Sequence, residues 1–252
     1  MAPGGPGANA RTAVVWEVLT AAIAEAQAAP GRGSAPLQVV DAGGGTGGFA
    51  VPLAEAGCSV TVVDPSPDSL AALSRRADER GLGERVRGLQ GDLDDLPQLV
   101  DAASADLVLC HSVLHVVDDP AAALRAVAGV LRQGGRLSLL VGNRNAVVLA
   151  RALAGRPDEA AHALTDPAGR WGEADGVRRR WTPDQLAELV TGAGLVVEQL
   201  HGVRVVADLI PSAALDLEPG APAALLALER SLADRPPFRD IATSLHVLAV
   251  RR

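Results

Sequence analysis

The sequence of 252 residues predicts an α/β fold with a doubly wound, parallel sheet. Short apolar runs rich in β-branched residues alternate with helix-forming segments from residue 37 to residue 141. An acid or a histidine ends or follows four of these runs, at Asp41, Asp64, Asp92 and His111. Right-handed crossovers place the carboxyl ends of parallel strands at one edge of the sheet, where ligands bind. We therefore expect the four polar side chains along that edge.

The predicted helices begin at residues that favour helix termini. Ser66 is expected to cap one helix, and Asp119 followed by Pro120 is expected to start another. Thr182 and Gln185 form the pattern of a capping box. The predicted helices cover residues 12–28, 48–56, 66–80, 119–132, 182–191 and 222–232. The predicted strands cover residues 37–41, 59–64, 86–90, 105–111, 136–141, 194–206 and 245–250.

Composition limits the classes of protein to which the chain can belong. Hydrophobic residues make up 48% of the chain, which is enough for a large core without covalent staples. Cys58 and Cys110 lie in apolar runs and are expected to be buried thiols in a reducing cytoplasm. Residues 1–10 lack the pattern of a secretory signal and are predicted to be a disordered arm. No run is long enough to span a membrane. The net charge of −7 disfavours a wide nucleic-acid interface.

The most informative segment follows the first predicted strand. Five glycines occur within the six residues 43–48. Glycine adopts positive φ at little cost and lets the main chain approach a ligand closely. A cofactor is therefore expected to lie over Gly43, Gly44 and Gly45.

Two acids narrow the identity of this cofactor. Asp41 and the glycines fit the pattern E/D-x-G-x-G and fit G-x-G-x-x-G poorly. Asp64 ends the second strand about twenty residues further on, where an acid in a Rossmann-like sheet accepts hydrogen bonds from a ribose diol. With these residues the chain resembles the class I S-adenosylmethionine-dependent methyltransferases, which implies S-adenosyl-L-methionine as the cofactor.

Several further segments carry a more specific resemblance that runs from about Arg11 to the C-terminus. They are residues 41–45, 111–114, 131–135, 202–205 with Asp208, 224–229, and His246. These segments resemble the bacterial tRNA 5-carboxymethoxyuridine methyltransferase family. Members of that family methylate a carboxylate on the wobble uridine and form an ester, so the resemblance implies tRNA as the acceptor.

The resemblance also implies the fold and the cofactor site, position by position. The fold would be a mostly parallel, seven-stranded Rossmann-like methyltransferase sheet with an antiparallel last strand. One domain would span residues 11–252, with an irregular, substrate-side insertion at about residues 143–180. Arg11 would reach the methionine carboxylate from the N-terminal helix. The implied cofactor-binding residues are Arg11, Asp41, Gly43, Gly44, Gly45, Asp64, Pro65, Gly91, Asp92, Leu93 and His111.

The chain departs from that family where the acceptor would be held. Thr243 and Ser244 stand where the family has an arginine and a tyrosine. His115 replaces an acid, and arginines at residues 178–180 replace a lysine run.

The chemistry of a carboxylate acceptor suggests two catalytic residues. Methyl transfer is an in-line displacement, to which alignment contributes about 7–11 kcal/mol. A carboxylate is ionised at pH 7 and needs a cation to hold it, not a general base. Arg204 and His246 are the expected catalytic side chains, and Arg144 is a third candidate. For an amine or a phenol, His115 or His201 would serve as the base.

Other functions are weighed against this one. A small-molecule methyltransferase is favoured by the acidic net charge and by the low aromatic content of two Phe and three Trp. A nicotinamide-dependent oxidoreductase is disfavoured by the glycine spacing, and a cofactor-binding protein without catalysis stays open. No metal is expected, because His111, His115, Asp118 and Asp119 follow a strand end and a turn that would not present them to one ion.

Overall fold

The computed structural model describes residues 9–29, 33–211 and 219–252, so residues 1–8 of the predicted arm lie outside the described residues. The strands are β1 (Gln38–Ala42), β2 (Ser59–Asp64), β3 (Val86–Gln90), β4 (Ala105–His111), β5 (Leu131–Gly142), β6 (Leu195–Val203) and β7 (Ser244–Arg251). They form one sheet in the order β3-β2-β1-β4-β5-β7-β6. β7 is antiparallel to β5 and to β6, and the sheet is otherwise mostly parallel. This confirms the predicted fold class.

Strand order reverses beside β1, which pairs in parallel with β2 on one side and with β4 on the other. Asp41 is in register with Val62 of β2 and Leu109 of β4, so the carboxyl ends of the three strands lie side by side. The reversal opens a crevice at this edge of a parallel sheet. The consecutive residues Val39 and Val40 point to opposite faces of the sheet, and both are buried, as expected for a strand that is covered on both faces.

The described residues contain nine α-helices. They are α1 (Ala13–Gln27), α2 (Ala50–Glu55), α3 (Pro67–Glu79), α4 (Leu96–Leu99), α5 (Pro120–Val130), α6 (Arg144–Leu153), α7 (Pro157–Thr165), α8 (Pro183–Gly192) and α9 (Ala221–Leu232). The predicted caps of α3 and α8 are confirmed. Ser66 Oγ accepts a hydrogen bond from the N–H of Ser69 at 3.2 Å. Thr182 and Gln185 exchange hydrogen bonds of 3.0 and 3.3 Å.

The junction of α5 with β5 differs from the predicted helix over residues 119–132. The helix ends at Val130 and the strand begins at Leu131 without a loop. The side chain of Arg251 donates hydrogen bonds to the carbonyls of Ala128 at 2.8 Å and Gly129 at 3.1 Å, and also to that of Leu131. These contacts satisfy carbonyl groups that the helix end leaves without partners, so the helix can stop early.

The prediction of an irregular segment at residues 143–180 is wrong for α6 and α7. The side chain of Asn143 caps α6 by accepting a hydrogen bond from the N–H of Asn145 at 3.0 Å, and a proline opens α7. Further along this segment, the Arg151 guanidinium lies 3.8 Å from the ring centroid of Trp171. Trp181 is buried, and its carbonyl accepts a hydrogen bond from the N–H of Arg144, the first residue of α6, at 2.9 Å.

The chain divides into two compact units, called unit I and unit II below. Unit I contains Ala21–Leu139, Glu188–Glu198 and Leu248–Arg252, and its core includes the buried thiols of Cys58 and Cys110. Unit II contains the described parts of Met1–Thr20, Leu140–Ala187 and Gln199–Val247. Among the described residues, no helix is both long enough and apolar enough to cross a membrane.

Candidate active site

The glycine-rich turn follows β1 in unit I and holds its shape through main-chain hydrogen bonds. The N–H of Gly43 donates to the carbonyl of Val63 at 2.7 Å, and the N–H of Gly47 donates to the carbonyl of Gly44 at 3.0 Å. Gly43 has φ +76°, and a Cβ there would overlap the Cγ2 methyl of Val113. A Cβ at Gly44 would lie 2.5 Å from the carboxyl carbon of Asp41. The turn is therefore a bare main-chain surface that larger residues would close.

Asp64 links this turn to the end of β2. One carboxylate oxygen accepts a hydrogen bond from the N–H of Gly45 at 2.9 Å, and the other accepts from the N–H of Ser66 at 3.0 Å. The residue is 8% exposed. Because each carboxylate oxygen can accept more than one hydrogen bond, the held carboxylate can still bind a pair of hydroxyls.

Asp41 lies beneath the same turn and is almost fully buried, with 2% of its surface exposed. Its Oδ2 atom has no hydrogen-bond partner among the described residues. Burial, and then the negative charge of Asp64, raise the pKa of Asp41 to about 7. A buried carboxyl oxygen that lacks a partner among the described residues, together with a turn that side chains would block, fits a cationic ligand lying over the glycines. The residues present thus fit the cofactor that the resemblance implies.

His111 ends β4 at the same edge of the sheet. Its Nε2 atom lies 2.8 Å from Ser138 Oγ, and its ring meets Phe49 edge-on, with ring centroids 4.6 Å apart. Burial lowers the pKa of His111 to about 3, so the imidazole is neutral near pH 7. The ring can therefore offer a hydrogen bond or an apolar face, but not a charge.

The end of β3 forms a tight turn stabilised by acids. Asp92 Oδ1 accepts a hydrogen bond from the N–H of Asp94 at 2.8 Å, and Asp95 Oδ2 accepts from the N–H of Asp92 at 3.1 Å. A Cβ at Gly91 would lie 2.5 Å from Leu99 Cδ1, so the turn packs closely against α4. Unit I thus brings together at one edge nearly all the predicted cofactor residues: Asp41, Gly43, Gly44, Gly45, Asp64, Pro65, Gly91, Asp92, Leu93 and His111. Arg11 belongs to unit II, where it is exposed just before α1.

The two predicted catalytic residues lie in unit II and differ sharply in exposure. The side chain of Arg204 is 29% exposed, with Nη1 3.2 Å from Asp208 Oδ2 and Nη2 donating to Ser244 Oγ at 3.1 Å. His246 lies within β7 and has 0% of its surface exposed. Its ring stacks near that of His201, with centroids 6.0 Å apart. Arg204 can reach a ligand from solvent in this structure, whereas His246 is enclosed by the protein.

The other predicted candidates have structural partners. Arg144 is buried and donates a hydrogen bond to the carbonyl of Pro167 at 2.7 Å. Arg180 pairs with both carboxylate oxygens of Asp175, at 2.6 and 3.1 Å. Burial lowers the pKa of His201. The charge of Asp234 raises this pKa in part, and the charge of Arg239 lowers it. Among the described residues, no group of three or more His, Cys, Asp or Glu side chains is placed to hold a metal ion.

One residue with a clear structural role was not predicted. Glu229 of α9 has 0% exposure, and its carboxylate accepts three main-chain hydrogen bonds from residues 205–207. Two signals in the sequence point to it: the acid lies four residues after the buried Leu225, on the same face of α9, and it ends the segment 224–229 that carries the family resemblance.

Unit II also contains an apolar cleft of about 330 Å³. Aliphatic side chains of α6 form one wall, and Val205, Leu209 and Ile241 contribute to the rest. Asp208, the partner of Arg204, lines the same cleft. The cleft therefore combines an apolar lining with a charged pair at its border.

Comparison with known proteins finds similarity to methyltransferases. Residues 40–139 match the family described as a methyltransferase domain. The chain is 28% identical over 239 residues to the tRNA 5-carboxymethoxyuridine methyltransferase of Escherichia coli (strain K12), covering 95% of this chain and 87% of that protein. It is 31% identical over 169 residues to the ubiquinone biosynthesis O-methyltransferase of Xanthomonas axonopodis pv. citri (strain 306), covering 67% of this chain and 66% of that protein.

A solved structure supports the fold. Geranyl diphosphate C-methyltransferase from Streptomyces coelicolor A3(2), determined with Mg²⁺, geranyl diphosphate and S-adenosyl-L-homocysteine, matches with a TM-score of 0.58 and 17% identity. The match covers 94% of this chain and 80% of that chain. Together with the turn after β1 and the match of residues 40–139 to the methyltransferase domain family, these findings show that the chain is an S-adenosylmethionine-dependent methyltransferase of the class I fold.

Proposed function

We propose that this protein methylates the carboxylate of 5-carboxymethoxyuridine in tRNA and forms a methyl ester. The observation that carries the proposal is the identity to the Escherichia coli enzyme named for this nucleoside, which extends over 95% of the chain. An alignment of that extent includes unit II, and the segment 202–205, which resembles that family, belongs to this unit. Since tRNA is modified in the cytoplasm, the proposal also places the protein there.

The cofactor is proposed to occupy the edge of unit I at the ends of β1, β2 and β4. The carboxylate of Asp64 is already held by two main-chain N–H groups and would accept hydrogen bonds from the ribose hydroxyls. Asp41 would complement the cationic part of the cofactor over Gly43 and Gly44. Arg11 would bind the methionine carboxylate. The remaining proposed contacts are Gly45, Pro65, Gly91, Asp92, Leu93 and His111.

The chemistry required of the protein is mainly orientation. When bound, S-adenosylmethionine supplies a methyl group on a positively charged sulfur. An acceptor oxygen would attack the methyl carbon in line with the carbon–sulfur bond, and the neutral thioether would leave. The acceptor carboxylate is ionised at neutral pH, so no side chain has to remove a proton. His111 is neutral and adds no charge that would compete with the sulfonium for the carboxylate.

Arg204 is the side chain that we assign to the acceptor carboxylate. Its planar guanidinium suits a carboxylate, and part of it is exposed while Asp208 and Ser244 fix its position. Because His246 is enclosed within β7, we assign it no contact with the acceptor. Arg178 is exposed, and we assign it to the tRNA phosphates. The guanidinium of Arg180 pairs with Asp175, and we assign it a structural role.

A labelling experiment tests this proposal. Purified protein is incubated with methyl-labelled S-adenosylmethionine and with bulk bacterial tRNA that carries 5-carboxymethoxyuridine. Label should enter the tRNA, and nucleoside mass spectrometry should show the carboxymethoxy nucleoside converted to its methyl ester. Bulk tRNA without the modification is the matched control and should stay unlabelled. An unlabelled modified tRNA beside a labelled metabolite extract would replace the proposal with the second candidate.

That second candidate is a small-molecule methyltransferase, and the apolar cleft of unit II favours it. Its volume of about 330 Å³ and its aliphatic lining are typical of pockets for small apolar ligands. Among the residues that the structure describes, the lining of the cleft is aliphatic and polar and offers no aromatic ring on which a base could stack. The extract arm of the labelling experiment decides between the two acceptors.

A further inference from the structure

The carboxylate of Glu229 holds three consecutive amides of the segment that follows β6. Oε2 accepts a hydrogen bond from the N–H of Val205 at 2.8 Å. Oε1 accepts from the N–H of Val206 at 2.8 Å and of Ala207 at 2.7 Å. The two oxygens of a carboxyl group can together accept several hydrogen bonds, and this group is fully buried. The segment is therefore fixed in place from inside unit II.

Arg204, directly before the held amides, has an unusual main-chain conformation. Its φ is +59°, in the left-handed region that residues other than glycine rarely adopt. Its carbonyl accepts a hydrogen bond from the N–H of Thr243 at 3.1 Å, so the residue is held on both sides. A glycine would fill this position with less strain. A functional role of the side chain would explain why an arginine, and not a glycine, occupies this position.

We propose that Glu229 is a positioning residue that keeps Arg204 in the left-handed conformation, so that its guanidinium faces the carboxylate of the methyl acceptor. The inference rests on the proposed function, since it assigns a device for recognising that carboxylate. Glu229 acts only through the main chain of residues 205–207 and does not touch the acceptor. Asp208 and Ser244 then set the plane of the guanidinium.

The first variant is Arg204→Gly, which removes the side chain but suits the main-chain conformation. Its thermal midpoint should equal or exceed that of the wild type, because the loss of a partly exposed ion pair is small and the strain is relieved. Ala103, which has φ +53° in unit I, supplies the matched control Ala103→Gly. That control should show the same relief of strain without any change in ligand binding.

The second variant is Glu229→Gln, which keeps the size of the side chain but loses one acceptor. Amide hydrogen exchange at residues 205–207 should become faster. The matched control is Asp106→Asn, since Asp106 is also buried, accepts a main-chain hydrogen bond from Gln38 at 2.7 Å and pairs with Arg132 at 2.7 Å. Exchange at residues 205–207 should not change in this control.

The decisive measurement is binding of two free nucleosides, 5-carboxymethoxyuridine and uridine, to protein saturated with S-adenosyl-L-homocysteine. The wild type should prefer the first by about ten- to a hundredfold, the size expected of a hydrogen bond to a charged group. Arg204→Gly and Glu229→Gln should lose this preference, while both controls keep it. If Glu229→Gln keeps the preference, the inference fails by itself. If Arg204→Gly keeps it, the assignment of Arg204 to the acceptor carboxylate fails together with the inference, while the proposed acceptor stands. If the wild type has no preference, the proposed acceptor fails and the inference fails with it.

Discussion

The Oδ2 atom of Asp64 accepts a hydrogen bond from the N–H of Gly45 at 2.9 Å, so the acid that ends β2 also holds the turn that follows β1. Asp64→Ala removes both the proposed ribose contact and the support of the turn. We expect the affinity for S-adenosyl-L-homocysteine, measured by titration calorimetry, to fall more than about tenfold, the loss typical of hydrogen bonds to a charged group. Asp68→Ala, at an exposed acid of α3, is the matched control and should bind normally. Unchanged affinity in Asp64→Ala would contradict the ribose assignment.

A second prediction compares two glycines of the same turn. In Gly44→Ala the new methyl group would lie 2.5 Å from the carboxyl carbon of Asp41, so the turn must shift. We expect a stability loss of about 1–3 kcal/mol, as for overpacked sites, and loss of cofactor binding. A Cβ at Gly48 meets nothing within 4 Å, so Gly48→Ala should bind normally. Thermal melting and calorimetry of both variants provide the test, and equal effects would refute it.

A third prediction concerns pH. The pKa of Asp41 is raised from 3.8 to about 7 in the folded protein, first by burial and then by Asp64. Between pH 3.8 and about 7 the folded protein keeps the proton on Asp41, whereas the unfolded chain has lost it. The free energy of unfolding is therefore highest, as far as this group is concerned, below pH 3.8, and it falls as the pH rises to about 7. The loss amounts to about 1.4 kcal/mol per pH unit within that window.

Asp41→Asn cannot ionise and should escape this loss. In the absence of cofactor, its thermal midpoint should therefore exceed that of the wild type by more at pH 8 than at pH 4.5. Asp68→Asn controls for general effects of charge and should show no such trend. A difference that stays constant across the range would argue against a proton on the buried carboxyl.

A fourth prediction separates stability from function. Thr182 and Gln185 form a reciprocal cap at the start of α8. Thr182→Ala should destabilise the protein by about 1 kcal/mol, which lowers the thermal midpoint by about 2–4 °C in a protein of this size. The affinity for S-adenosyl-L-homocysteine should stay the same. Thr182→Ser keeps the capping oxygen and should melt like the wild type, and a large loss in the serine variant would rule out the cap as the cause.

The parts of the fold that depend on neighbours in sequence could be predicted. The turn after β1, the acid at the end of β2 and the cap at Ser66 follow from local rules of φ, hydrogen bonding and spacing. The mostly parallel direction of the strands followed from their alternation with helices, and the antiparallel last strand followed from the family resemblance.

The parts that depend on distant residues could not be predicted. Glu229 binds amides 22 to 24 residues earlier in the chain, and no periodic pattern connects them. The early end of α5 depends on Arg251, which lies more than a hundred residues away. The burial of His246 follows from the position of β7 between β5 and β6, which the sequence of the strand itself does not specify.

The positions of the three tryptophans have a spectroscopic consequence. Trp16, Trp171 and Trp181 all belong to unit II, and the chain contains no tyrosine. Intrinsic fluorescence therefore originates in the unit that carries Arg204, while the proposed nucleoside contacts of the cofactor are in the other unit. A change in emission on adding S-adenosyl-L-homocysteine would thus show that unit II senses the occupation of unit I, and no engineered label would be needed to detect it.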